Sequence, residues 1–306
     1  MPDVLDQVTA APPSGEQVEI RAGGQSVVVV EVGGGLRSYT AGGRDLLDGY
    51  GESELAGDGR GQVLIPWPNR IQDGAYEFAG RRHQLALTEP EAGNAIHGLV
   101  RWADWWVRER DAGRVVMAYT LHPQPGYPFS LELSIEYVLA DGGLRVRSTA
   151  TNTGPEACPY GSGAHPYLTV GTKTVDTAIL RAPGRTVLSA GGRGAVEGTE
   201  YDFLRPRAIG ATELDHTFSD LERDGDGLAR VQLRHPDGEA ALTLWLGESY
   251  PYLQLFTGDP LPGVDRRSLA VEPMTCPPNA FRTGEGMLVL EPGESATGEW
   301  GLEVRV

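Results

Sequence analysis

The sequence has little cysteine, no long apolar run and few signs of helix. Its two cysteines, Cys158 and Cys276, lie far apart and lack the spacing of a metal site, so we expect no disulfide scaffold and a reduced, cytoplasmic setting. No stretch approaches the ~18 consecutive apolar residues of a membrane-spanning helix. The opening stretch MPDVLDQVTAAPPSGEQ has neither a basic start nor an apolar run, so no secretion signal is expected there.

Several motifs of cofactor and nucleophile chemistry are also missing. The sequence contains no Walker A motif, no G-x-G-x-x-G opening a βαβ unit and no G-x-S-x-G elbow. Its six histidines show neither HExxH nor H-x-H spacing, so we predict no cofactor and no metal. A formal net charge of −16 disfavours binding to nucleic acids and to anionic membranes, but it leaves small neutral ligands open.

Glycine and proline are abundant, with 42 and 22 residues, and together they form roughly a fifth of the chain against about 12% in average proteins. Short alternating or β-branched apolar stretches lie between turn sequences such as ADGG (140–143) and PDG (236–238). The predicted strands cover residues 26–32, 115–121, 131–139, 144–150, 231–234, 241–246, 252–256 and 299–306. With no internal repeat and no linker break, the pattern predicts an all-β fold, one large antiparallel β-sandwich over residues 16–306 after a flexible tail over residues 1–15.

Two polar residues lie where the backbone is constrained. His165 is part of GSGAHPYL (161–168), in which small residues leave open space before it and Pro166 fixes the chain direction after it. Glu272 is part of LAVEPMTCPPNAF (269–281), where an apolar strand (269–271) ends and a proline follows. A carboxylate held in this way is a candidate general base. The alternatives are an ordinary turn at His165 and a solvent-facing glutamate at a strand end.

Two further polar pairs lie in predicted loops. Asn69 and Arg70 follow two prolines in IPWPNRI (65–71), and the planar donors of an arginine suit vicinal hydroxyls. Asp215 precedes His216 in ELDHTFSDL (213–221). Each pair also has a structural interpretation, in which the arginine satisfies loop carbonyls and the aspartate caps a turn or is solvated.

A third polar segment, NAIHGLVRWADWW (94–106), combines His97 with three tryptophans. The tryptophans are candidates for the core, or for a platform on which the C–H face of a sugar ring stacks. Taken alone, His97 is more typical of a structural histidine than of a catalytic one.

These motifs resemble those of the aldose 1-epimerase (galactose mutarotase) family over most of the chain. The similar segments, in the family's order, are PNRIQDGAYEFAG (68–80), NAIHG (94–98), HPY (165–167), LDHTF (214–218), YLQLFTG (252–258) and EP (272–273). The resemblance implies a galactose mutarotase-like supersandwich, with Glu272 as general base and His165 as general acid. The residues that it implies as partners of sugar hydroxyls are Arg70, His97, Asp215, Asn69 and Gln254.

The activity that the resemblance implies is mutarotation, the exchange of α and β anomers of an aldohexose through ring opening. Opening removes a proton from O1 and adds one to O5, so we expect Glu272 to act at O1 and His165 at O5 across a pyranose-sized gap. We also expect Glu272 to be largely ionised in the free protein at neutral pH, and the pH–rate profile to be bell-shaped. No cofactor is needed for this chemistry.

Other functions remain open at this point. A hexose-6-phosphate 1-epimerase would need cations for the phosphate; Arg70 and Arg101 are available, but there is no basic cluster. A non-catalytic sugar-binding or sensor protein of the same fold would not need both His165 and Glu272, and an unrelated β-sandwich would use its histidines structurally. Segments 94–106 and 274–281 differ from better-known members, which leaves the sugar open. The expected partner is a small sugar, and the chain is expected to be a monomer or homodimer.

Overall fold

Strands dominate the structure, a computed structural model that describes residues 11–189, 192–238 and 240–305. These residues form 27 strands, one helical turn (α1, Ala280–Thr283) and two 3-10 turns (Gly57–Gly59 and Val175–Thr177). The strands are β1 Gln17–Ala22, β2 Gln25–Val30, β3 Leu36–Ala41, β4 Arg44–Asp45, β5 Val63–Leu64, β6 Arg70–Gln72, β7 Ala75–Phe78, β8 Arg81–Gln84, β9 Asn94–Ile96, β10 Trp106–Asp111, β11 Arg114–Leu121, β12 Leu131–Ala140, β13 Gly143–Asn152, β14 Cys158–Tyr160, β15 Gly163–Ala164, β16 Tyr167–Leu168, β17 Ile179–Arg181, β18 Gly184–Ser189, β19 Gly192–Ala195, β20 Arg207–Ala208, β21 Asp215–Leu221, β22 Ala229–Arg234, β23 Ala241–Leu246, β24 Tyr252–Phe256, β25 Leu269–Met274, β26 Leu288–Leu290 and β27 Ser295–Arg305. The predicted all-β fold is confirmed.

One layer is a nine-stranded sheet with the order β10-β11-β12-β13-β27-β23-β22-β17-β20. Its strands alternate between buried and more exposed residues. In β12, for example, the side chains of Leu131, Leu133, Ile135, Tyr137 and Leu139 are buried and their neighbours are not. This period of two is what a sheet with one covered face requires. The sheet therefore presents a single apolar face to the rest of the molecule.

The second layer is an eight-stranded sheet with the order β19-β18-β21-β24-β25-β15-β5, in which β16 also pairs with β25. Its strand β25 is buried at every position from Leu269 to Met274. A strand that is buried on both faces is usually apolar at nearly every position. A carboxylate in such a strand is unusual, because burial destabilises its charged form. Glu272 is that carboxylate.

The two large sheets share one hydrophobic core. Ile135, Tyr137 and Trp300 of the nine-stranded sheet and Val63 and Ala164 of the eight-stranded sheet surround the same narrow space. Sheet-on-sheet packing of this kind confirms the predicted β-sandwich. A four-stranded sheet (β1-β2-β3-β4) and three two-stranded sheets complete the described strands. The prediction of one domain over residues 16–306 stays a prediction, and residues 1–10 of the predicted tail lie outside the described residues.

The long strands lie close to where the sequence predicts them, and both predicted hairpin turns are present. Ala140 pairs with Gly143 across the β12–β13 turn, and Arg234 pairs with Ala241 across the β22–β23 turn. The differences lie in the segments that carry polar residues. The predicted strand 269–271 continues to Met274 as β25. Asp215 and Arg70, which are predicted in loops, are the first residues of β21 and β6, because neighbouring strands pair with these segments. No helix in the described part of the chain has the length and apolarity to cross a membrane.

Candidate active site

The pairing of β25 with two short strands places His165 beside Glu272. β15 and β16 flank His165 on one side of β25 and keep the same antiparallel register. The pairs are Gly163 with Met274 and Tyr167 with Ala270. In that register His165 stands opposite Glu272, and residues opposite each other in an antiparallel pair direct their side chains to the same face.

The same row of side chains continues across the next two strands. Glu272 pairs with Gln254 of β24, which in turn pairs with Thr217 of β21. The Thr217 hydroxyl donates to Gln254 Oε1 at 2.5 Å, and Gln254 Nε2 donates to Asp215 Oδ1 at 2.7 Å. Four neighbouring segments of one sheet therefore bring His165, Glu272, Gln254 and Asp215 to one face.

His165 and Glu272 form a close, buried pair. His165 Nε2 lies 3.4 Å from Glu272 Oε1, and the two residues are only 5% and 2% exposed. Among the described residues, His165 Nδ1 and Glu272 Oε2 have no hydrogen-bond partner. The pair lies side by side, not across a pyranose-sized gap as predicted. The physical reason is the register, which puts Glu272 of β25 opposite His165 in the adjacent segment between β15 and β16.

Burial governs the charge of Glu272. The pKa of Glu272 is raised to about 8, first by burial and then by the negative charge of Asp215, while the positive charge of Arg70 opposes the shift. A carboxyl group with such a pKa is mostly protonated at neutral pH. The expectation that Glu272 is largely ionised in the free protein is therefore wrong, because the strand that carries it is covered on both faces.

Burial shifts the pKa of His165 downward, opposite to the shift of Glu272, because it disfavours the charged form of each group. It lowers the pKa of His165 to about 3, and the positive charges of Arg101 and Arg60 contribute to the lowering. The imidazole is therefore neutral at neutral pH. Taken together, the two shifts favour a pair that shares one proton, with one proton donor and one proton acceptor 3.4 Å apart.

A second pair, Arg70 and Asp215, lies at a more exposed level of the same cleft. Arg70 Nη1 is 3.8 Å from Asp215 Oδ2. The guanidinium also donates to both carboxylate oxygens of Glu89, at 2.9 and 3.0 Å, and Asn94 donates to Glu89 at 2.8 Å. The hydrogen bond from Arg70 lowers the pKa of Glu89 below its usual range. This bidentate contact fixes the plane of the guanidinium.

His97 and Asn69 hold each other in an unusual backbone conformation. Both residues have positive φ, 61° and 53°. The backbone N–H of Asn69 donates to His97 Nδ1 at 3.1 Å, and the N–H of His97 donates to the Asn69 carbonyl at 2.9 Å. Burial lowers the pKa of His97 well below its usual value. The neutral ring thus carries its proton on Nε2 and can donate a hydrogen bond there.

Three of these side chains also satisfy the spacing of a metal site. One ligand atom each of His97, His165 and Glu272 lie within 4.8 Å of one another. However, Nδ1 of His97 already accepts the Asn69 N–H, and its Nε2 carries the proton. A ligating nitrogen must be free of its proton, so His97 is suited to donate a hydrogen bond and not to bind an ion. The absence of a metal stays a prediction.

His165 is also held by a stack of side chains, Tyr167 and then Arg60, that the sequence does not indicate. The ring of Tyr167 stacks on His165 with centroids 5.0 Å apart and an interplanar angle of 16°. The guanidinium carbon of Arg60, a buried residue, lies 4.6 Å from the centroid of the Tyr167 ring, and ion pairs hold Arg60 to Asp48 and Asp58. Arg60 lies in the polar loop AGDGRGQ (56–62), which carries no signal of this role.

All seven predicted site residues line one cleft of about 360 Å³.

The tryptophans of segment 94–106 take different roles. Trp105 is 1% exposed and belongs to the core, whereas Trp102 is 52% exposed and lines the cleft. Arg101 lines the cleft as well and is bonded to Gln62 and to the carbonyl of Ile96.

The sequence profile of the family described as aldose 1-epimerase matches residues 16–303. The chain belongs to the aldose 1-epimerase family. Its similarity to the uncharacterized protein YihR of Escherichia coli K12 is 37% identity over 295 residues, covering 94% of this chain and 93% of YihR. The resemblance noted from the sequence motifs is thereby confirmed.

Solved structures show that this epimerase-family chain has a galactose mutarotase-like fold. The GalM/aldose epimerase homologue from C. elegans superposes with a TM-score of 0.84 at 18% identity, covering 95% of this chain and 98% of that one. Galactose 1-epimerase from Lactobacillus acidophilus NCFM superposes with a TM-score of 0.78 at 19% identity, covering 94% of each chain. Family and fold together support a carbohydrate epimerase or mutarotase, an isomerase.

Proposed function

We propose that the protein is an aldose 1-epimerase that interconverts the α and β anomers of an aldohexose. The observation that carries the proposal is the buried, side-by-side pair of His165 and Glu272 at the base of a cleft lined by hydrogen-bonding side chains. A protein that only binds a sugar would not need to bury two titratable groups side by side, since burial destabilises their charged forms. General acid–base chemistry does need such a pair.

Ring opening uses the proton that the pair holds. One residue of the pair gives a proton to O5 as the C1–O5 bond breaks, and the other takes the proton of the O1 hydroxyl as the C1=O1 bond forms. After rotation about C1–C2, O5 attacks the other face of C1 and both transfers reverse. Because O1 and O5 are bonded to the same carbon, two groups lying side by side suit them. Each residue is thus an acid in one half of the cycle and a base in the other.

The position of the single proton decides which oxygen each residue serves. With the proton on His165, Glu272 acts at O1 and His165 at O5, as the family resemblance implies. With the proton on Glu272, the two residues exchange oxygens. Both versions conserve protons over a full cycle, because ring closure restores the starting state of the pair.

The remaining site residues are proposed to hold the ring. Arg70 and Asp215 are assigned to hydroxyls away from C1, and His97 donates from Nε2. Asn69 and Gln254 fix these groups: Asn69 orients His97 through the backbone, and Gln254 donates to Asp215. Orientation of this kind lowers the barrier by presenting C1 in a reactive geometry.

The test is the rate at which a pure anomer equilibrates, followed by polarimetry. Glu272→Gln keeps the size of the side chain but cannot exchange a proton, so we expect kcat to fall by at least about 10²-fold. Glu77→Gln makes the same change on the exposed face of β7 and is the matched control. Near-normal turnover by Glu272→Gln, with an unchanged melting curve, would contradict the assigned role.

The same assay separates the alternative functions when neutral, sulfonated and phosphorylated aldoses are compared. The arginines that line the cleft within the described residues are Arg70 and Arg101, and Arg70 is already paired with Glu89 and Asp215. This balance favours a neutral sugar over a hexose 6-phosphate. Sugar binding without faster equilibration would indicate a sensor or binding protein instead.

We further propose that the activity is cytoplasmic and is carried by a single domain, residues 16–306, as a monomer or homodimer. Both cysteines are free and buried, which suits a reducing compartment. Gel filtration with light scattering measures the oligomeric state.

A further inference from the structure

A second large cavity lies apart from the catalytic cleft. This space, here called the distal cavity, has a volume of about 840 Å³ against about 360 Å³ for the cleft, and the two share no lining residue. Its walls are formed mainly by segments 44–51 and 169–172. A space of this size admits a ligand larger than the single sugar ring proposed for the cleft.

The lining of the distal cavity combines arginines with hydroxyl side chains. The arginines are Arg37, Arg44 and Arg267, and Ser38 and Thr172 add hydroxyls. A guanidinium presents a planar set of donors that matches the oxygens of a phosphate, and hydroxyl side chains suit the hydroxyls of a sugar or polyol. This lining therefore favours a ligand that carries both an anionic group and hydroxyls.

Arg37 brings a positive charge that the protein does not compensate. It is half-buried, and its Nη1 donates to the carbonyl of Tyr50 at 3.2 Å. Among the described residues no carboxylate forms an ion pair with it. Although the chain has a net charge of −16, charges farther away than about 10 Å are largely screened at 0.1 M salt. Arg37 therefore governs the local attraction of an anion in the cavity.

The wall of the distal cavity is bonded to the segment that carries His165. The backbone N–H of Asp48 donates to the carbonyl of Tyr167 at 2.9 Å, and the N–H of Thr169 donates to the carbonyl of Leu46 at 3.0 Å. Asp48, Thr169 and Leu46 all line the cavity. Because Tyr167 stacks on His165, a change in this wall can reach the imidazole through direct contacts.

Two arginines compete for the carboxylate of Asp48. Arg267 donates from Nε to Oδ2 at 3.0 Å, and its Nη2 lies 2.7 Å from Oδ1. Arg60, which lies over the Tyr167 ring, reaches Oδ2 with Nη2 at a longer 3.3 Å. The Arg267 side chain is 46% exposed and lines the cavity, whereas that of Arg60 is 6% exposed and does not. An anion that binds Arg267 weakens its hold on Asp48 and frees the carboxylate for Arg60.

We propose that the distal cavity binds a phosphate ester of a sugar or polyol, and that binding raises kcat by strengthening the contact between Asp48 and Arg60. The kinetic half of this inference rests on the proposed mutarotase activity, whereas the binding half does not. The phosphate contacts Arg37 and Arg267. Arg60 is then held more firmly over Tyr167, and the position of the imidazole is better defined.

The experiment uses D-glucitol 6-phosphate as the probe. This open-chain phosphate ester has no anomeric carbon, so it is not a substrate for mutarotation. Isothermal titration calorimetry measures its Kd, and polarimetry measures kcat and KM for α-glucose with and without it. D-Glucitol and inorganic phosphate are the comparison ligands. Arg37→Gln removes the uncompensated charge, and Arg145→Gln, on an exposed position of β13 that lines neither space, is the matched control.

We expect the probe to raise kcat of the native chain by at least about twofold. Arg37→Gln should weaken binding of the probe by about tenfold or more and leave kcat without the probe unchanged, because it removes a charge-assisted contact far from the chemistry. Arg145→Gln should behave as the native chain. Arg267→Gln, which removes the competition for Asp48, should raise kcat without the probe and abolish the response to it.

Each contrary result identifies the half that fails. No binding of the probe, or binding that Arg37→Gln does not weaken, would overturn the site. Equally tight binding of inorganic phosphate or of D-glucitol would overturn the assignment to a phosphate ester. Binding that leaves kcat unchanged or lowers it would overturn the coupling, and a rise in KM alone would place the probe in the catalytic cleft. Failure of the native chain to accelerate any aldose would overturn the mutarotase proposal, while calorimetry would still decide the site.

Discussion

At the scale of single residues, the site depends on two ionisable groups that the fold keeps uncharged. Burial raises the pKa of Glu272 to about 8 and lowers that of His165 to about 3. Removal of a charge from water is costly, so the pair settles in its neutral form with one proton. This state suits mutarotation, which needs a donor and an acceptor at the same moment and returns both unchanged.

The pH dependence of the rate follows from these pKa values. Below about pH 8 the pair holds its proton, and above it Glu272 ionises and no donor remains, so we expect kcat/KM to fall about tenfold per pH unit above this point. The acid limb requires a second proton on His165 and lies far below neutrality, because the pKa of His165 is lowered. The predicted profile is therefore a broad bell.

The measurement is kcat/KM by polarimetry from about pH 5 to about pH 10, with the spontaneous rate subtracted. Glu77→Gln, on the surface, should leave the profile unchanged. A profile that already declines above about pH 6.5 would show instead that the two groups titrate with their ordinary values, because a histidine with an ordinary pKa loses its proton there.

At the scale of elements, short segments around β25 set the position of His165. The backbone N–H of His165 donates to the Gln62 carbonyl, and the N–H of Gly61 donates to the His165 carbonyl. Just before them, the 3-10 turn Gly57–Gly59 passes against the imidazole itself. A Cβ on Gly59 would lie 2.8 Å from His165 Cδ2, and Gly59 has a φ of +81°. This close approach requires glycine.

Gly59→Ala should therefore displace His165 and lower kcat by about 10- to 100-fold, since small misplacements of a reacting group are costly. Gly57→Ala, in the same turn, is the matched control because its Cβ would meet nothing within 4 Å. The measurements are kcat, KM and the melting temperature. A folded Gly59→Ala protein with unchanged kcat would show that the turn does not position the imidazole.

The sequence predicts the long strands and the identity of the site residues better than it predicts the segments that assemble them. β12 and β13 alternate over ten residues each, and a period sustained over that length can be recognised from local sequence. β15 and β16 have two residues each and are strands only because of their neighbours: β16 pairs with β25, and β15 pairs with both β25 and β5. Local sequence carries no periodicity over two residues.

The same limit applies to the charge and support of the site. Because Pro273 follows Glu272, the sequence predicts a strand end at Glu272. In the structure β25 continues past it, and Glu272 is buried within the strand. Arg60 and Glu89 act through side-chain contacts with residues distant in sequence, including Asp48 and Arg70. Such contacts arise from tertiary packing, so no local pattern indicates them.

At the scale of the whole molecule, the net charge of −16 acts on whatever approaches the cleft. A neutral sugar is indifferent to this field, whereas an anionic sugar is repelled at long range. We expect kcat/KM for a neutral aldose to be independent of ionic strength. Any activity on glucose 6-phosphate should rise with added salt, because the Debye length shrinks to about 10 Å at 0.1 M.

Equilibration rates of both sugars at several salt concentrations measure this difference, with glucose serving as its own control. A rate for glucose 6-phosphate that falls as salt is added would contradict the expectation. Such a fall would indicate that Arg101 attracts the phosphate, in favour of the hexose-phosphate alternative.

The alignment of His165 and Glu272 by strand pairing ties turnover to correct assembly of the sandwich. A slip of β25 by one position would turn Glu272 to the opposite face and bring Val271 or Pro273 to its place. A chain mispaired in this way would keep most of its apolar contacts, yet it would have no carboxyl beside the imidazole. Recovery of activity after refolding therefore counts the molecules with the native strand alignment, which a spectroscopic signal of β-structure cannot distinguish.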